Sequence, residues 1–163
     1  MIAKKLFALL LTSASLCFAS LTWAQAPAPY GMPINLDQAK KAMAAAEAEA
    51  RKNNWNVVIA IVDSGGHMVM LQRLDGTQFG SIQVATDKAH GATAFRRETK
   101  VFQDLIAQGG VHLRMLNITG NAAVLEGGIP IIVEGKIIGG IGVSGVTSQQ
   151  DHQIAKAGVD SLK

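Results

Sequence analysis

The sequence predicts an α+β fold, a single domain with a central antiparallel sheet of about five strands and helices packed on it. Two β-hairpin patterns, at residues 56–75 and 129–146, carry this prediction, because strands joined by tight turns must be antiparallel. Amphipathic helical segments precede, separate and follow the hairpins. The length of 163 residues fits one domain.

The N-terminus has the three-part pattern of a secretory signal peptide. Lys4 and Lys5 precede an apolar run over residues 6–21, and small Ala24 ends the segment. The run is shorter than the ~20 residues of a membrane-spanning helix. We therefore predict a signal peptide over residues 1–24 and a periplasmic or secreted protein, with no membrane insertion after its removal.

Composition narrows the functions open to the remaining chain. The one cysteine, Cys17, lies in the predicted signal peptide, so the mature chain forms no disulfide and no covalent haem link. Removal of two lysines from 15 basic and 12 acidic residues leaves a formal charge of +1. Few aromatic residues and no long basic run argue against nucleic-acid binding.

Residues 25–34 are rich in proline and are predicted to be a flexible tether, so the domain covers residues 35–163. Asn35 and Gln38 predict a capping box at the start of the first helix. The first hairpin follows, with a strand at residues 56–63 that is apolar on both faces. The predicted buried stripe of the first helix consists of Leu36, Ala39, Met43, Ala46 and Ala50.

Residues 81–97 and 100–108 are predicted to be helices, and residues 122–128 a strand that ends in a glycine loop. Glu134 and Gly135 predict the turn of the second hairpin. In the closing helix, Ser148 is the predicted N-cap, with Asp151 favourably placed for the helix dipole. The predicted stripes of the two long helices are Ile82, Ala85, Ala89 and Ala92, and Ile154, Ala155, Val159 and Leu162.

Gly140, Gly142 and Gly145 spell G-x-G-x-x-G but do not predict a dinucleotide site. That site needs a following helix and a second parallel strand, and 18 residues after Gly145 are too few. Glycines at these positions instead allow another backbone, a subunit or a flat ligand to approach the strand closely.

No motif of hydrolytic or zinc chemistry is present, and the four histidines are widely spaced. On its predicted helix His90 aligns with Thr86, Thr93 and Arg97, on the polar side. His90 is therefore the candidate metal ligand, since histidine is the commonest side chain in that role.

Three elements together resemble one known family. They are Asp63, Gly66, Arg73 and Asp75; the segment Asp87-Lys88-Ala89; and "GGIGVSG" followed by Asp151. The chain resembles the haem-binding, GlcG-like family over about residues 36–162. Gly91 departs from the family pattern, which often has threonine there, and no histidine ligand carries over to His90.

The resemblance implies a central antiparallel sheet, a homo-oligomer and, for some members, reversible haem binding. Haem is flat and carries anionic propionates, so it suits a glycine-walled slot with nearby cations. Its iron can take histidine, methionine or tyrosine as a ligand. The candidate haem-binding residues are Lys88, His90, His112, Arg96, Arg97, Arg114, Gly140 and Gly142.

The leading hypothesis is a secreted or periplasmic protein that binds haem noncovalently for sequestration, transfer or redox sensing. A sensor or transport protein would then be a further partner. The alternative is a binding module for a small metabolite or a corrinoid without haem. An enzyme with its site at a subunit interface ranks last, because the sequence offers no activated nucleophile or metal triad.

Overall fold

The computed structural model describes residues 26–118 and 123–163 and confirms a single α+β domain. The predicted signal peptide lies outside these residues. No helix in the described ranges is long and apolar enough to cross a membrane. The elements are α1 (Leu36–Lys52), β1 (Val58–Asp63), β2 (Met68–Arg73), α2 (Ser81–Ala94), α3 (Lys100–Ala107), a 3-10 helix (Gly110–Arg114), α4 (Met115–Ile118), β3 (Gly128–Val133), β4 (Lys136–Ser144) and α5 (Ser148–Asp160).

Within the described residues the sheet has four strands in the order β2-β1-β4-β3, and each neighbouring pair is antiparallel. The predicted fifth strand does not form: residues 123–127 are irregular, and residues 119–122 lie outside the described ranges. Gly127 has φ of +120°, which a strand does not accommodate. The segment turns there to deliver the chain to β3.

Both faces of the sheet are covered, as the apolar sequence of β1 predicts. Ile59 and Ile61 pack into the larger core, on the face that α1 and α5 cover. Val58, Ala60 and Val62 alternate with them and pack against α2 on the other face. Successive side chains of a strand point to opposite faces, and both faces are covered here, so successive positions of β1 are apolar.

The capping prediction holds for α1 and needs correction for α5. Asn35 and Gln38 form the predicted reciprocal capping box. In α5 the N-cap is Thr147, not Ser148, because the Thr147 side chain accepts a hydrogen bond from the Gln150 backbone. Asp151 is consequently turned into the protein and is 2% exposed.

The predicted buried stripes hold except at the first members of the α1 and α2 stripes and the last member of the α5 stripe. Leu36 is 52% exposed and Ile82 is 37% exposed. Both residues stand in the first turn of their helices, before the turns that pack on the sheet. The other members of the α1 and α2 stripes are buried, and three of the four in α5 are buried, with Leu162 partly so.

The segment before α1 departs from the predicted flexible tether. Its backbone is hydrogen-bonded to β4: Gly31 N donates to Ile137 O at 2.8 Å, and Ile34 N donates to Ile138 O at 2.7 Å. Ile34 is buried in the larger core. This segment lies beside the first residues of β4, where β1 has already ended.

Candidate functional site

The glycine-rich strand β4 is covered by α2 and offers no slot for a ligand. A Cβ atom on Gly142 would lie 2.1 Å from the Ala85 carbonyl oxygen, and one on Gly140 would lie 2.2 Å from Thr93 Oγ1. The glycines therefore allow α2 to approach the sheet closely. The prediction that Gly140 and Gly142 bind a cofactor is corrected, because a helix occupies that space.

Lys88 is a structural residue rather than part of a ligand site. It is 1% exposed, and its Nζ donates to Asp151 Oδ2 at 2.8 Å and to the Val143 carbonyl at 2.9 Å. Asp151 Oδ1 also accepts a hydrogen bond from Val146 N. The anionic partner of Lys88 is thus a carboxylate of the protein itself. The prediction that Lys88 lines a ligand site is therefore wrong.

Burial opposes the charges of this pair. It lowers the pKa of Lys88 and raises the pKa of Asp151, while the attraction between the two groups acts against both shifts. Hydrogen bonds to both charged groups compensate for the lost hydration. The pair joins α2 to α5 across the end of β4.

His90, His112 and Arg114 do not form a common site. His90 is exposed and lies against the turn between β1 and β2, where a Cβ on Gly66 would be 2.9 Å from the His90 ring. His112 and Arg114 lie on the 3-10 helix. These three predicted residues are separate from the groove that contains Arg96 and Arg97.

That groove lies between β3, α5 and the C-terminal end of α2, and has a volume of about 350 Å³. We call it the α5 groove. Apolar side chains from β3 and α5 form one part of its lining, and basic side chains from the α2 end and α5 form another. Its lining consists of Arg96, Arg97, Glu98, Ile129, Pro130, Ile132, His152, Lys156, Val159, Asp160 and Lys163.

Local sequence explains how the groove is built. β3 is the edge strand of the sheet, and Pro130 suits an edge because proline cannot donate to a further strand. Arg96 has φ of +53°, which ends α2 abruptly. Its guanidinium lies 5.7 Å from the centre of the Tyr30 ring, so the segment before α1 helps to hold the basic rim.

His152, which lines the groove, faces the buried Glu126 side chain behind it. His152 Nδ1 is 3.8 Å from Glu126 Oε1, and the Glu126 side chain is 6% exposed. In the described part of the chain, neither His152 Nδ1 nor Glu126 Oε2 has a hydrogen-bond partner. Orphaned polar atoms of this kind are uncommon in protein interiors and call for an explanation.

Sequence reasoning missed both of these residues. A signal for His152 was present, since His152, Lys156, Val159 and Lys163 recur at helical spacing and mark one face of α5. Glu126 had no such signal, because it lies in an irregular segment whose path depends on the rest of the fold.

Across the described ranges, no three histidine, cysteine, aspartate or glutamate side chains cluster closely enough to hold a metal ion. A metal site built from protein ligands alone is therefore not supported at His90 or in the groove. Iron within a porphyrin is different, because the macrocycle supplies four ligands and the protein supplies one or two.

A second pocket, of about 440 Å³, lies near the C-terminal end of α1 and is lined by Arg51, Asn54, Trp55, Asn56, Leu74 and Asp75. It is larger than the α5 groove but largely polar. Its lining contains one cation, Arg51, and no histidine. We therefore place the candidate site in the α5 groove.

Comparisons with known proteins agree with this fold. Protein GlcG of Escherichia coli K12 is 41% identical over 112 residues, which are 68% of this chain and 81% of GlcG. The crystal structure of protein ORFY of Klebsiella pneumoniae superposes with a TM-score of 0.76 at 28% identity, and covers 85% of this chain and 96% of ORFY.

An HbpS double mutant of Streptomyces reticuli superposes with a TM-score of 0.74 at 30% identity, over 82% of this chain and 89% of that structure. A family model described as "Haem degrading protein HbpS-like" matches residues 34–160. The chain therefore belongs to the HbpS-like family, in agreement with the family resemblance of its sequence.

Proposed function

We propose that this protein binds haem noncovalently in the α5 groove. The observation that carries the proposal is the combination of an apolar wall, a basic rim and one imidazole in a single groove. The family description, which refers to haem, supports the same ligand.

Each part of the groove matches one part of haem. Ile132, which is 40% exposed, lies beside the buried Ile129 and Pro130 in an apolar part of the groove that suits the flat macrocycle. Arg97 and Lys156 offer cations to the propionates, although Lys156 also pairs with Asp160 of the same groove. An arginine can bind a carboxylate through two parallel hydrogen bonds. Bound haem would supply an iron centre for redox or oxygen chemistry.

Haemin titration of the chain from residue 25 onward tests the proposal. We expect a shifted Soret band that saturates at one haem per chain, because a specific groove takes one ligand. Absence of any shift at micromolar haemin would contradict haem binding. Cobalamin in the same assay tests the alternative of a corrinoid-binding module.

The family description also raises a second function, the degradation of bound haem. His152 in the groove, with the buried Glu126 behind it, is the feature that favours degradation, since ionisable groups near a ligand can move protons. Incubation of the haem complex with ascorbate in air separates the two functions. Haem recovered intact by extraction indicates binding alone, whereas an iron-free tetrapyrrole product indicates degradation.

Export is proposed from the pattern of residues 1–24. An exported, noncovalent haem protein would serve in sequestration, transfer or sensing, which need exchange of the ligand. Fractionation of cells and N-terminal sequencing test this proposal, and a mature chain that begins at Gln25 is expected. The homo-oligomer stays a prediction. A mass from light scattering equal to that of one mature chain would contradict it.

A further inference from the structure

We infer that His152 is the side chain that ligates haem iron in the α5 groove, and that Glu126 is the positioning residue that orients its ring. The inference rests on the proposed haem binding and assigns its ligand. It is carried by the composition of the groove, the two orphaned atoms and the way Glu126 is held.

The composition of the groove leaves one candidate for the side chain that ligates the iron. Among the lining residues, none is methionine, tyrosine or cysteine, and one is histidine. Imidazole is a neutral ligand common in haem proteins, whereas the lysines and carboxylates of the groove are suited to charge pairing. His90 and His112 are outside the lining, although the sequence placed both among the candidates.

The orientation of the His152 ring supports the assignment. The side chain is 22% exposed, yet its Nδ1 atom is buried and faces Glu126. Because Nε2 is on the other side of the ring, an inward Nδ1 leaves Nε2 as the nitrogen available to a ligand in the groove. Histidines that bind metals commonly donate their second ring N–H to a carboxylate.

Glu126 is held in place independently of His152. Its backbone N donates to Gln103 Oε1 at 3.0 Å. The next residue, Gly127, has φ of +120°, and a Cβ there would lie 2.9 Å from Lys88 Nζ. These contacts place the backbone of Glu126, and Lys100 Nζ is 3.9 Å from its Oε2.

The gap between the two side chains has a direct interpretation. A separation of 3.8 Å is longer than a hydrogen bond, whose heavy atoms lie about 2.7–3.2 Å apart. A small movement of the His152 ring toward Glu126 would form the bond and satisfy one orphaned atom. Ligation of iron at Nε2 favours this arrangement, because it fixes the proton on Nδ1.

The ligand assignment is tested with haem complexes of the unmodified protein, His152→Ala, His152→Gln and the control His90→Ala. We expect both His152 variants to change the Soret band and to release haem to apomyoglobin at least 10-fold faster. Added imidazole should restore the original spectrum of His152→Ala. His90→Ala should match the unmodified protein in both measurements.

The outcomes separate the inference from the proposed function. If the unmodified protein binds no haem, the proposed function fails. If it binds haem and the His152 variants keep its spectrum and release rate, the ligand assignment is overturned while haem binding stands. Circular dichroism of each variant checks that it is folded.

The role of Glu126 is tested separately with Glu126→Gln. A carboxylate partner makes the imidazole a stronger electron donor, so its loss should raise the reduction potential of the haem and speed haem release. A variant that merely loosened the fold would lower the melting temperature without moving the potential. An unchanged potential in a folded Glu126→Gln complex would overturn the positioning role.

Discussion

The α2 face of the sheet and the α5 groove both contain basic residues, but they use them in opposite ways. On the α2 face, Lys88 is fully buried and is paired with Asp151. In the groove, Arg96 and Arg97 are exposed at the rim. The first arrangement stabilises the fold, and the second leaves cations available to an anionic ligand.

This difference shows that the residues that carry the family resemblance mainly serve the packing of the fold. Asp87-Lys88-Ala89, the glycines of β4 and Asp151 carry the resemblance, and the structure places Lys88, Ala89, Gly142 and Asp151 in packing between α2, the sheet and α5. None of the proposed ligand residues Arg97, His152 and Lys156 is among the positions that carry the resemblance.

The largest effect is expected from breaking the buried ion pair. Lys88→Met leaves Asp151 buried without its cation, and we expect the free energy of unfolding to fall by about 3–5 kcal/mol. Urea unfolding followed by circular dichroism measures the change. Met has a similar length, so the loss reports the charge rather than a cavity.

The double variant Lys88→Met with Asp151→Leu is the control for that measurement. Because it removes both charges, it should be more stable than Lys88→Met alone. Equal or lower stability in the double variant would show that the ion pair is not what Lys88 contributes.

The next largest effect is expected from Gly142→Ala. The added Cβ would lie 2.1 Å from the Ala85 carbonyl oxygen, so α2 must move, at a cost of about 1–3 kcal/mol or more. Gly80→Ala is the matched control, since its φ is −58° and nothing lies within 4 Å of the new Cβ. Thermal melts that show the same loss for both variants would refute close packing as the reason for Gly142.

The histidines outside the groove should contribute little to haem binding. His90→Ala and His112→Ala are expected to leave the dissociation constant for haemin within about twofold, because neither side chain lines the groove. Haemin titrations of the two variants measure this. A tenfold weakening at His90 would move the site to the turn between β1 and β2.

The smallest effect concerns Glu47, whose exposed pair with Arg51 contrasts with the buried Lys88 pair. Hydrogen bonds from Gln72 and Arg51 hold the pKa of Glu47 below its ordinary value of 4.5. The folded pKa is the lower one, so the stabilisation is present above pH 4.5 and is lost as pH falls below it. Gln72→Leu should weaken this dependence between pH 5 and pH 3 in urea titrations, and an identical pH profile would contradict it.

The fold was predictable from sequence where an element depends on residues close together in the chain. The capping box at Asn35 and the turn at Glu134 and Gly135 depend on residues close together in the chain, and both form as predicted. The missing fifth strand and the attached segment at residues 29–34 depend on distant partners, which periodicity does not reveal.

The candidate site was less predictable for the same reason. Arg96 and Arg97 were identified, because a basic pair at a helix end is visible locally. Lys88 was assigned to a ligand because its partner, Asp151, is 63 residues away. Glu126 and His152 meet only when the segment before β3 is packed against α5.

A pair of charge-reversal variants tests most directly the claim that haem binds in the α5 groove. Arg97→Glu with Lys156→Glu reverses two cations of the groove, and Lys40→Glu with Lys41→Glu reverses two exposed cations of α1. Haemin titrations should show at least tenfold weaker binding for the groove variant and little change for the α1 variant. Equal affinities for the two variants, with binding retained, would contradict the groove as the haem site.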